Sequence, residues 1–282
     1  MQIDAGLAGR LVAEQFPQWA GLPVRAVELS GSDNRSFRLG DELLVRMPSA
    51  EGYAAAVAKE QRWLPVLGPQ LPLPVPEPVA LGRPSGEYPW AWSVYRWIEG
   101  EPAASAGIED LDAFATDVGS FLAALQRVDA TDGPVAGPHS FWRAGPLSSY
   151  DGETRAALES LDGVVDTRAA TKVWDEALSS TWDADPVWCH GDIAVGNLLM
   201  RDGRLAAVID FGTSAVGDPA CDTVLAWTLL EGSSRRAFEE AMPLDDATWA
   251  RGRGWALWKA LITLTPDNPG ARRTVDAVLA DA

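Results

Sequence analysis

The chain has 282 residues, of which 47% are hydrophobic, and its 40 acidic side chains outnumber its 23 basic ones to give a net charge of −17. This composition excludes an intrinsically disordered chain, and the length favours one large or two small domains. The acidic balance also argues against a nucleic-acid-binding protein, because affinity for a phosphate backbone depends on clustered Lys and Arg.

The sequence shows no sign of a membrane or secretory protein. No apolar run approaches the roughly 20 residues that a membrane span needs, and the first residues carry charges instead of a long apolar segment. Two cysteines without metal-ligand spacing fit a reducing compartment. We therefore expect a cytoplasmic protein without nucleic-acid or membrane partners. Its acidic field is compatible with a cationic small molecule, and its oligomeric state is open.

The first hundred residues predict a small antiparallel sheet with helices before and after its first strands. Turn residues separate three short strand patterns, which favours a meander. The run 71–79 contains four prolines and cannot be helical. In chain order we predict a helix at 4–16, strands at Val24–Leu29, Ser36–Leu39 and Leu43–Met47, a helix at 50–67 and a strand at Trp90–Trp97.

After Pro102 the pattern becomes mostly helical, with a few short strands around turns. Asp202-Gly203 is a typical hairpin turn. We predict helices at 109–128, 152–163 and 170–182, strands at Val187–Trp188, Leu198–Met200 and Leu205–Ile209, and a mainly helical end. The sequence thus predicts an α+β fold of two lobes. A mixed N-terminal lobe would cover 1–97, a helical C-terminal lobe would cover 101–282, and a hinge would lie at about 93–100.

The strongest chemical signal lies between His190 and Asp210. Asp192 follows His190 by two positions, Asn197 lies five residues further, and Asp210 opens an Asp-Phe-Gly sequence after the predicted hairpin. Phosphoryl transfer needs a carboxylate that orients the attacking hydroxyl and oxygen ligands that hold Mg²⁺ against the triphosphate. His-x-Asp or Asp-Phe-Gly alone is weak, but the joint spacing predicts Asp192 as catalytic base and Asn197 and Asp210 as Mg²⁺ ligands.

The segments HGDIAVGN, VIDFG and GDPACD together resemble the signature of the aminoglycoside phosphotransferase family, whose members have a protein-kinase-like fold. The resemblance implies ATP or GTP as phosphoryl donor and a hydroxylated small molecule as acceptor, which in an aminoglycoside kinase would bring antibiotic resistance. It also implies that His190, Asp218 and Asp222 support the catalytic loop structurally. Gly191 stands where protein kinases have Arg, as in small-molecule kinases.

The phosphate-binding residues depart from the protein-kinase pattern, which has Lys on the third strand paired with a helix Glu. The third predicted strand carries Arg46 instead, and Glu60 lies on the next helix. Because Arg can bind phosphate through two hydrogen bonds, we predict that Arg46 binds the nucleotide phosphates with Glu60 as its partner.

Two further segments are candidates for nucleotide contacts. The loop 30–37 holds one glycine, yet its backbone amides and the side chains of Ser32 or Asn34 could donate to phosphate oxygens. Backbone groups of Arg96 and Ile98 would meet the adenine edge at the predicted hinge.

The acceptor site carries no motif. A cationic acceptor would need carboxylates from the helical lobe, and Asp151, Glu153 and Glu231 are the candidates. Kinases of macrolides, choline, homoserine or ketosamines are alternatives, although macrolide kinases look to carry His where this chain has Asn197. A nucleotide-binding pseudokinase with a regulatory role is another alternative, against which stand the intact Asp192, Asn197 and Asp210.

Overall fold

A computed structural model describes residues 2–27 and 33–281 of the chain. Its N-terminal part is an antiparallel sheet of five strands in the order β1-β2-β3-β5-β4, with one helix before the sheet and one inserted after the third strand. The bounds are α1 Ala5–Gln15, β1 Val24–Ala26, β2 Asn34–Leu39, β3 Leu43–Pro48, α2 Glu51–Leu67, β4 Pro78–Gly82 and β5 Trp92–Arg96.

The sheet forms because its strands alternate between an apolar and a polar face. The apolar face of β2 and β3 is buried and packs against the apolar side of α1. Its side chains are Phe37, Leu39, Val45 and Met47. The β2–β3 register runs from Asn34 opposite Pro48 to Leu39 opposite Leu43. This pairing places Arg46 on the opposite face from Val45 and Met47, because side chains alternate along a strand.

The C-terminal part is mainly helical, with short strands around the predicted catalytic segment. Its helices are α3 Ala103–Ala106, α4 Leu111–Gln126, α5 Asp151–Ser160, α6 Thr167–Leu178, α7 Leu225–Thr228, α8 Gly232–Ala241, α9 Asp246–Ile262 and α10 Pro269–Ala280. Its strands are β6 Glu101–Pro102, β7 Val187–Cys189, β8 Leu198–Arg201, β9 Arg204–Val208 and β10 Ala215–Gly217.

A second, larger core unites these helices. Trp174, Trp188 and Trp255 are buried in it, and Leu64 and Leu67 of α2 reach into the same cluster. Helix α4 packs on α8, and α9 packs between α6 and α10. The tryptophans of the helical part therefore serve mainly as core side chains, as large aromatic residues commonly do.

The β8–β9 hairpin carries the predicted metal ligands at its two ends. Asp202 and Gly203 at its tip have φ values of 53° and 74°, which fits the left-handed turn that two-residue hairpins favour. The Ile209 N–H donates to the Asn197 carbonyl at 2.9 Å and closes the base of the hairpin. Asp210 follows directly, so the fold brings the ends of the motif together.

Several details differ from the predicted elements. Strand β1 is described to Ala26, and the predicted extension to Leu29 enters residues 28–32, outside the described residues. Strand β4 was not predicted, because its first residue is a proline. It is an edge strand, where a missing N–H is tolerated.

The architecture agrees with the predicted α+β class. The division into lobes at 97 and 101 stays a prediction, and so does the cytoplasmic location. Of the helices in the described residues, none has the length and apolar character that a bilayer span requires.

Replacing glycine with alanine should have opposite effects on stability at two positions within helices. A Cβ at Gly252 in α9 would lie 1.8 Å from Thr223 Oγ1, whereas one at Gly52 in α2 would meet no atom within 4 Å. We expect Gly252→Ala to lower the free energy of unfolding by about 1–3 kcal/mol through overpacking. The matched Gly52→Ala should be neutral or stabilising by up to about 1 kcal/mol. Denaturant unfolding measures both, and equal shifts would contradict the packing around α9.

Candidate active site

A cleft of about 720 Å³ lies between the five-stranded sheet and the segment that follows β7. It contains most of the residues predicted for catalysis, metal binding and nucleotide binding. Those that line it are Asn34, Arg46, Arg96, Ile98, Asp192, Asn197 and Asp210. Ser32 lies outside the described residues, and Glu60 lies behind Arg46.

The catalytic loop is held from beneath by Asp222. This carboxylate is fully buried and accepts hydrogen bonds from the His190 N–H and the Gly191 N–H, both at 2.7 Å. Burial raises the pKa of Asp222, while the two N–H donors oppose that shift. Asp222 therefore supports the loop from a position that no ligand in the cleft could reach.

His190 also acts inside the protein instead of in the cleft. Its ring is buried, Nδ1 accepts from the Asp192 N–H at 3.2 Å, and Nε2 lies 3.0 Å from the Ile209 carbonyl. These partners fit a neutral ring protonated on Nε2. The ring packs edge-on to Phe211 at 4.6 Å. His190 thus joins the loop before Asp192 to the segment before Asp210.

Asp192 is exposed to the cleft, and Asn197 fixes its orientation. The Asn197 side-chain amide donates to the Asp192 carbonyl at 2.8 Å and to its carboxylate at 3.0 Å. The amide oxygen of Asn197 takes no hydrogen bond from the described residues, so it remains available to a cation. One side chain therefore positions the candidate base and offers an oxygen ligand.

Asp210 is paired with the guanidinium of Arg46 at 2.8 Å, and its backbone is left-handed with φ 68°. Burial acts to raise the pKa of Asp210, but the charge and hydrogen bond of Arg46 outweigh it and hold the pKa below its ordinary value. Asp210 is therefore anionic at neutral pH, as a metal ligand needs to be.

Arg46 joins two carboxylates from different elements. Its guanidinium contacts Glu60 of α2 at 3.3 Å and Asp210 at 2.8 Å. Burial acts against its charge, yet Asp210 and Glu60 outweigh that effect and raise the pKa of Arg46 above its ordinary value. Glu60 is buried and also accepts from the Tyr95 hydroxyl at 2.7 Å. The pairing predicted from sequence for Arg46 and Glu60 is present, with Asp210 as an additional partner.

Lys59 points away from this network. Its buried ammonium contacts the Ser214 carbonyl at 2.8 Å, and His139 through Nδ1 at 3.2 Å and its carbonyl at 3.3 Å. Burial lowers the pKa of Lys59 to about 8, although the adjacent Glu60 opposes the shift. Lys59 therefore ties helix α2 to the segment after Asp210 and does not replace Arg46.

The predicted hinge residues Arg96 and Ile98 lie at the cleft, but only one of their backbone N–H groups is free to bind a nucleotide base within the described residues. The Arg96 N–H donates to the Glu77 carbonyl at 2.9 Å. The Ile98 N–H makes no such bond within the described residues, so Ile98 is the better candidate for contact with a nucleotide base. Asn34 lies at the start of β2 and faces the cleft beside Asp33.

Asp218 lies in the buried support below the loop. It pairs with Arg251 of α9 at 2.7 Å, and both side chains are almost fully buried. It also caps the following turn by accepting from the Ala220 N–H at 3.0 Å. The role predicted for Asp218, structural support of the loop, stays a prediction.

The three acidic residues predicted for the acceptor do not line the cleft. Asp151 accepts from Trp174 Nε1 at 2.8 Å and pairs with Arg155, and Glu153 accepts from Trp258 Nε1 at 2.6 Å. Glu231 is an exposed residue at the N-cap of α8. Their acceptor role stays a prediction, and the structure gives Asp151 and Glu153 partners within the protein.

Sequence reasoning missed Tyr95, Arg251 and the partners of Lys59. Each contacts residues distant in sequence, so no local motif marks it. A polar Tyr within the apolar pattern of β5 was the one available signal for a buried hydroxyl that needs a partner.

Comparison with known proteins identifies related sequences and similar folds. The model of the phosphotransferase enzyme family matches residues 24–260. An aminoglycoside 3'-phosphotransferase from Escherichia coli is 27% identical over 152 residues, which cover 50% of this chain and 53% of that protein. The matched part therefore spans about half the length of this curated relative.

Solved structures share the fold over nearly the whole chain. The GDP and kanamycin complex of APH(2")-IIia has a TM-score of 0.73 at 17% identity and covers 98% of both chains. The macrolide 2'-phosphotransferase MphH from Brachybacterium faecium has a TM-score of 0.62 at 22% identity, covering 98% of this chain and 97% of that one. The predicted fold class is confirmed.

The family match covers most of the chain, including every predicted catalytic and metal-binding residue. The resemblance seen in the sequence motifs is thereby confirmed. This chain belongs to the phosphotransferase enzyme family.

Proposed function

We propose that the protein transfers the terminal phosphoryl group of ATP or GTP to a hydroxyl group of a small molecule. The observation that carries this proposal is the convergence of Asp192, Asn197, Asp210 and Arg46 in one cleft. A similar fold occurs in proteins solved with GDP or ADP and in a macrolide phosphotransferase, which supports a nucleotide donor and leaves several acceptor classes open.

In this mechanism, Asp192 would orient the acceptor hydroxyl and accept its proton. The Asn197 amide keeps the Asp192 carboxylate in place, and Asp222 holds the loop from behind. Catalysis would come mainly from positioning and from stabilising the charge of the transferred group. Nothing in this scheme needs a covalent enzyme intermediate.

The site suits Mg²⁺ as a partner of the nucleotide. Asn197 and Asp210 offer hard oxygen ligands, and the lowered pKa of Asp210 keeps it ionised. When bound, the ion would neutralise charge on the triphosphate and on the group in transfer. Arg46 would turn from Asp210 toward the phosphates as the nucleotide enters, while Glu60 keeps its side chain near the cleft.

The direct test is a screen of the purified chain with ATP and GTP against aminoglycosides, macrolides and small hydroxylated metabolites. Release of nucleoside diphosphate gives the rate, and mass spectrometry identifies an acceptor that has gained a phosphate group. Absence of acceptor-dependent turnover with both nucleotides would overturn the proposal in favour of a nucleotide-binding module.

Replacing the candidate base should remove turnover without removing nucleotide binding. Asp192→Asn keeps the shape of the side chain but cannot accept a proton at neutral pH, so kcat should fall by about 10²- to 10⁴-fold. The nucleotide Kd, measured by calorimetry, should stay near the wild-type value. The exposed Asp202→Asn at the hairpin tip is the matched control. Wild-type kcat in Asp192→Asn would exclude this residue as the base.

Asp210→Asn should weaken the dependence of nucleotide binding on Mg²⁺. Removing a charged ligand should reduce the affinity gained on adding Mg²⁺ by about 10-fold or more, since even residues that orient metal ligands have effects of this size. Titrations of ATP with Mg²⁺ and with EDTA measure the gain. An unchanged gain in Asp210→Asn, with Asp202→Asn again as control, would remove Asp210 from the metal site.

Arg46→Met should weaken binding of ATP by about 10- to 100-fold, the effect expected when a charge-assisted hydrogen bond is lost. Adenosine has no phosphates, so its affinity should change little. Arg46→Lys keeps the charge and should be intermediate, because a single ammonium cannot reproduce the guanidinium fork. Circular dichroism checks that the variants fold. An equal loss for ATP and adenosine would show that Arg46 only supports the cleft.

A further inference from the structure

A strained turn lies beside the catalytic loop. Phe141, Trp142 and Ala144 have φ values of 49°, 56° and 63°, a left-handed conformation that is unfavourable for residues other than glycine. The turn is held in place because the Ala144 N–H donates to Cys221 Sγ at 3.3 Å and its carbonyl accepts from the Asp218 N–H at 2.8 Å. Such strain persists only where its surroundings enforce it, and it concentrates at functional sites.

The turn places Arg143 next to the residue that precedes the candidate base. Gly191 has φ 85°, and a Cβ at this position would lie 2.8 Å from Arg143 Cβ. Asp192 is the next residue and is exposed to the cleft. The first carbon of the Arg143 side chain therefore lies against Gly191 in the loop that carries Asp192.

The guanidinium of Arg143 lies against three aromatic rings. Its Cζ is 4.7 Å from the ring centroid of Trp258, 5.2 Å from that of Trp255 and 5.8 Å from that of Tyr150. It donates weakly to the Tyr150 hydroxyl at 3.3 Å and to the Phe141 carbonyl at 3.5 Å. Rings hold a cation in position without neutralising its charge.

Among the described residues, Arg143 has no counter-ion. Across residues 2–27 and 33–281, no carboxylate oxygen lies within ion-pair distance of its guanidinium, whereas the guanidinium groups of Arg46 and Arg251 each have carboxylate partners. Glu153 approaches the same cluster but is bonded to Trp258 Nε1, and Asp222 is turned toward the catalytic-loop amides. An arginine without a carboxylate partner among the described residues therefore lies against Gly191, the residue that precedes Asp192.

The turn that carries Arg143 also exposes aromatic side chains. Phe141 and Trp142 are 39% and 43% exposed, and Tyr53 of α2 packs on Phe141 with ring centroids 5.9 Å apart. Exposed aromatic residues on a strained, anchored turn suit a ligand with an apolar body. A polycationic acceptor would instead face an uncompensated like charge.

We propose that the acceptor is a hydroxylated carboxylic acid with an apolar body, whose carboxylate binds Arg143 while its hydroxyl reaches Asp192. This inference rests on the proposed phosphotransferase function and narrows its substrate class. As the acceptor oxygen bonds to the terminal phosphorus, the bond from phosphorus to the bridging oxygen breaks. The hydroxyl proton passes to Asp192, and the nucleoside diphosphate leaves.

Three probes that differ mainly in charge test this inference. They are para-hydroxymethylbenzoate, para-hydroxymethylbenzamide and para-aminomethylbenzyl alcohol, with kanamycin as a polycationic comparison. With wild-type protein and ATP or GTP, kcat/KM for the benzoate should exceed that for the benzamide by about 10- to 100-fold, as expected for a hydrogen bond between charged groups. The amine and kanamycin should be poorer than the benzamide.

Variants of Arg143 test whether its guanidinium binds the carboxylate of the acceptor or only supports the fold. Arg143→Gln should remove the preference for the benzoate over the benzamide, and Arg143→Lys should retain part of it. The matched control is Lys259→Gln, which removes an exposed cation 5.6 Å from the Trp258 ring centroid and should leave the preference intact. If Arg143→Gln fails to fold, the comparison of wild type with Arg143→Lys still measures the role of the guanidinium.

Binding measured without turnover distinguishes this inference from the proposed function. Saturation-transfer NMR of the benzoate and benzamide with the Asp192→Asn variant, with and without the Arg143→Gln change, reports the carboxylate site directly. Selective benzoate binding that depends on Arg143, together with no turnover in wild type, would support the site and overturn the phosphotransferase function. Turnover or binding that favours the amine or kanamycin, or a benzoate preference unaffected by Arg143→Gln, would overturn the inference.

Discussion

The geometry of the candidate active site depends on one buried interaction, in which the carboxylate of Asp222 accepts hydrogen bonds from two backbone N–H groups. An ionised carboxylate without solvent is unfavourable unless hydrogen bonds compensate it, and the amides of His190 and Gly191 do so at 2.7 Å each. This requirement fixes the backbone of the loop, including the left-handed conformation of Gly191. Asp192 therefore projects into the cleft from a rigid support.

The ion pairs of Arg46, on strand β3 of the sheet, are a second interaction that shapes the same cleft. Arg46 of β3 binds Glu60 and Asp210 together, which a point-like ammonium could not do with the same geometry. Lys59 adds an independent link from α2 to Ser214. Helix α2, the sheet and the segment after Asp210 are thereby coupled, so the arrangement of the proposed phosphate site depends on all three.

The sequence predicted most of the elements, and it marked the candidate catalytic motif, because both depend on local patterns. Asp192, Asn197 and Asp210 lie within one short segment, and turn residues mark the hairpin between them. Tyr95, Arg251 and Arg143 gave no comparable signal, because their importance comes from partners far away in sequence. Asp151 and Glu153 show the opposite error, in which a local signal misleads. Their charge suggested contact with a ligand, but their carboxylates accept hydrogen bonds from indole N–H groups of the core.

The β8–β9 hairpin can change in length at its tip without changing the geometry at its base. The bond between Ile209 and Asn197 closes its base, whereas Asp202 at the tip is almost fully exposed. Residues added in cross-strand pairs at the tip would lengthen both strands equally and leave the two candidate metal ligands where they are. The tip is therefore a place where the chain tolerates inserted sequence, and an attachment point for labels that report on the site without entering it.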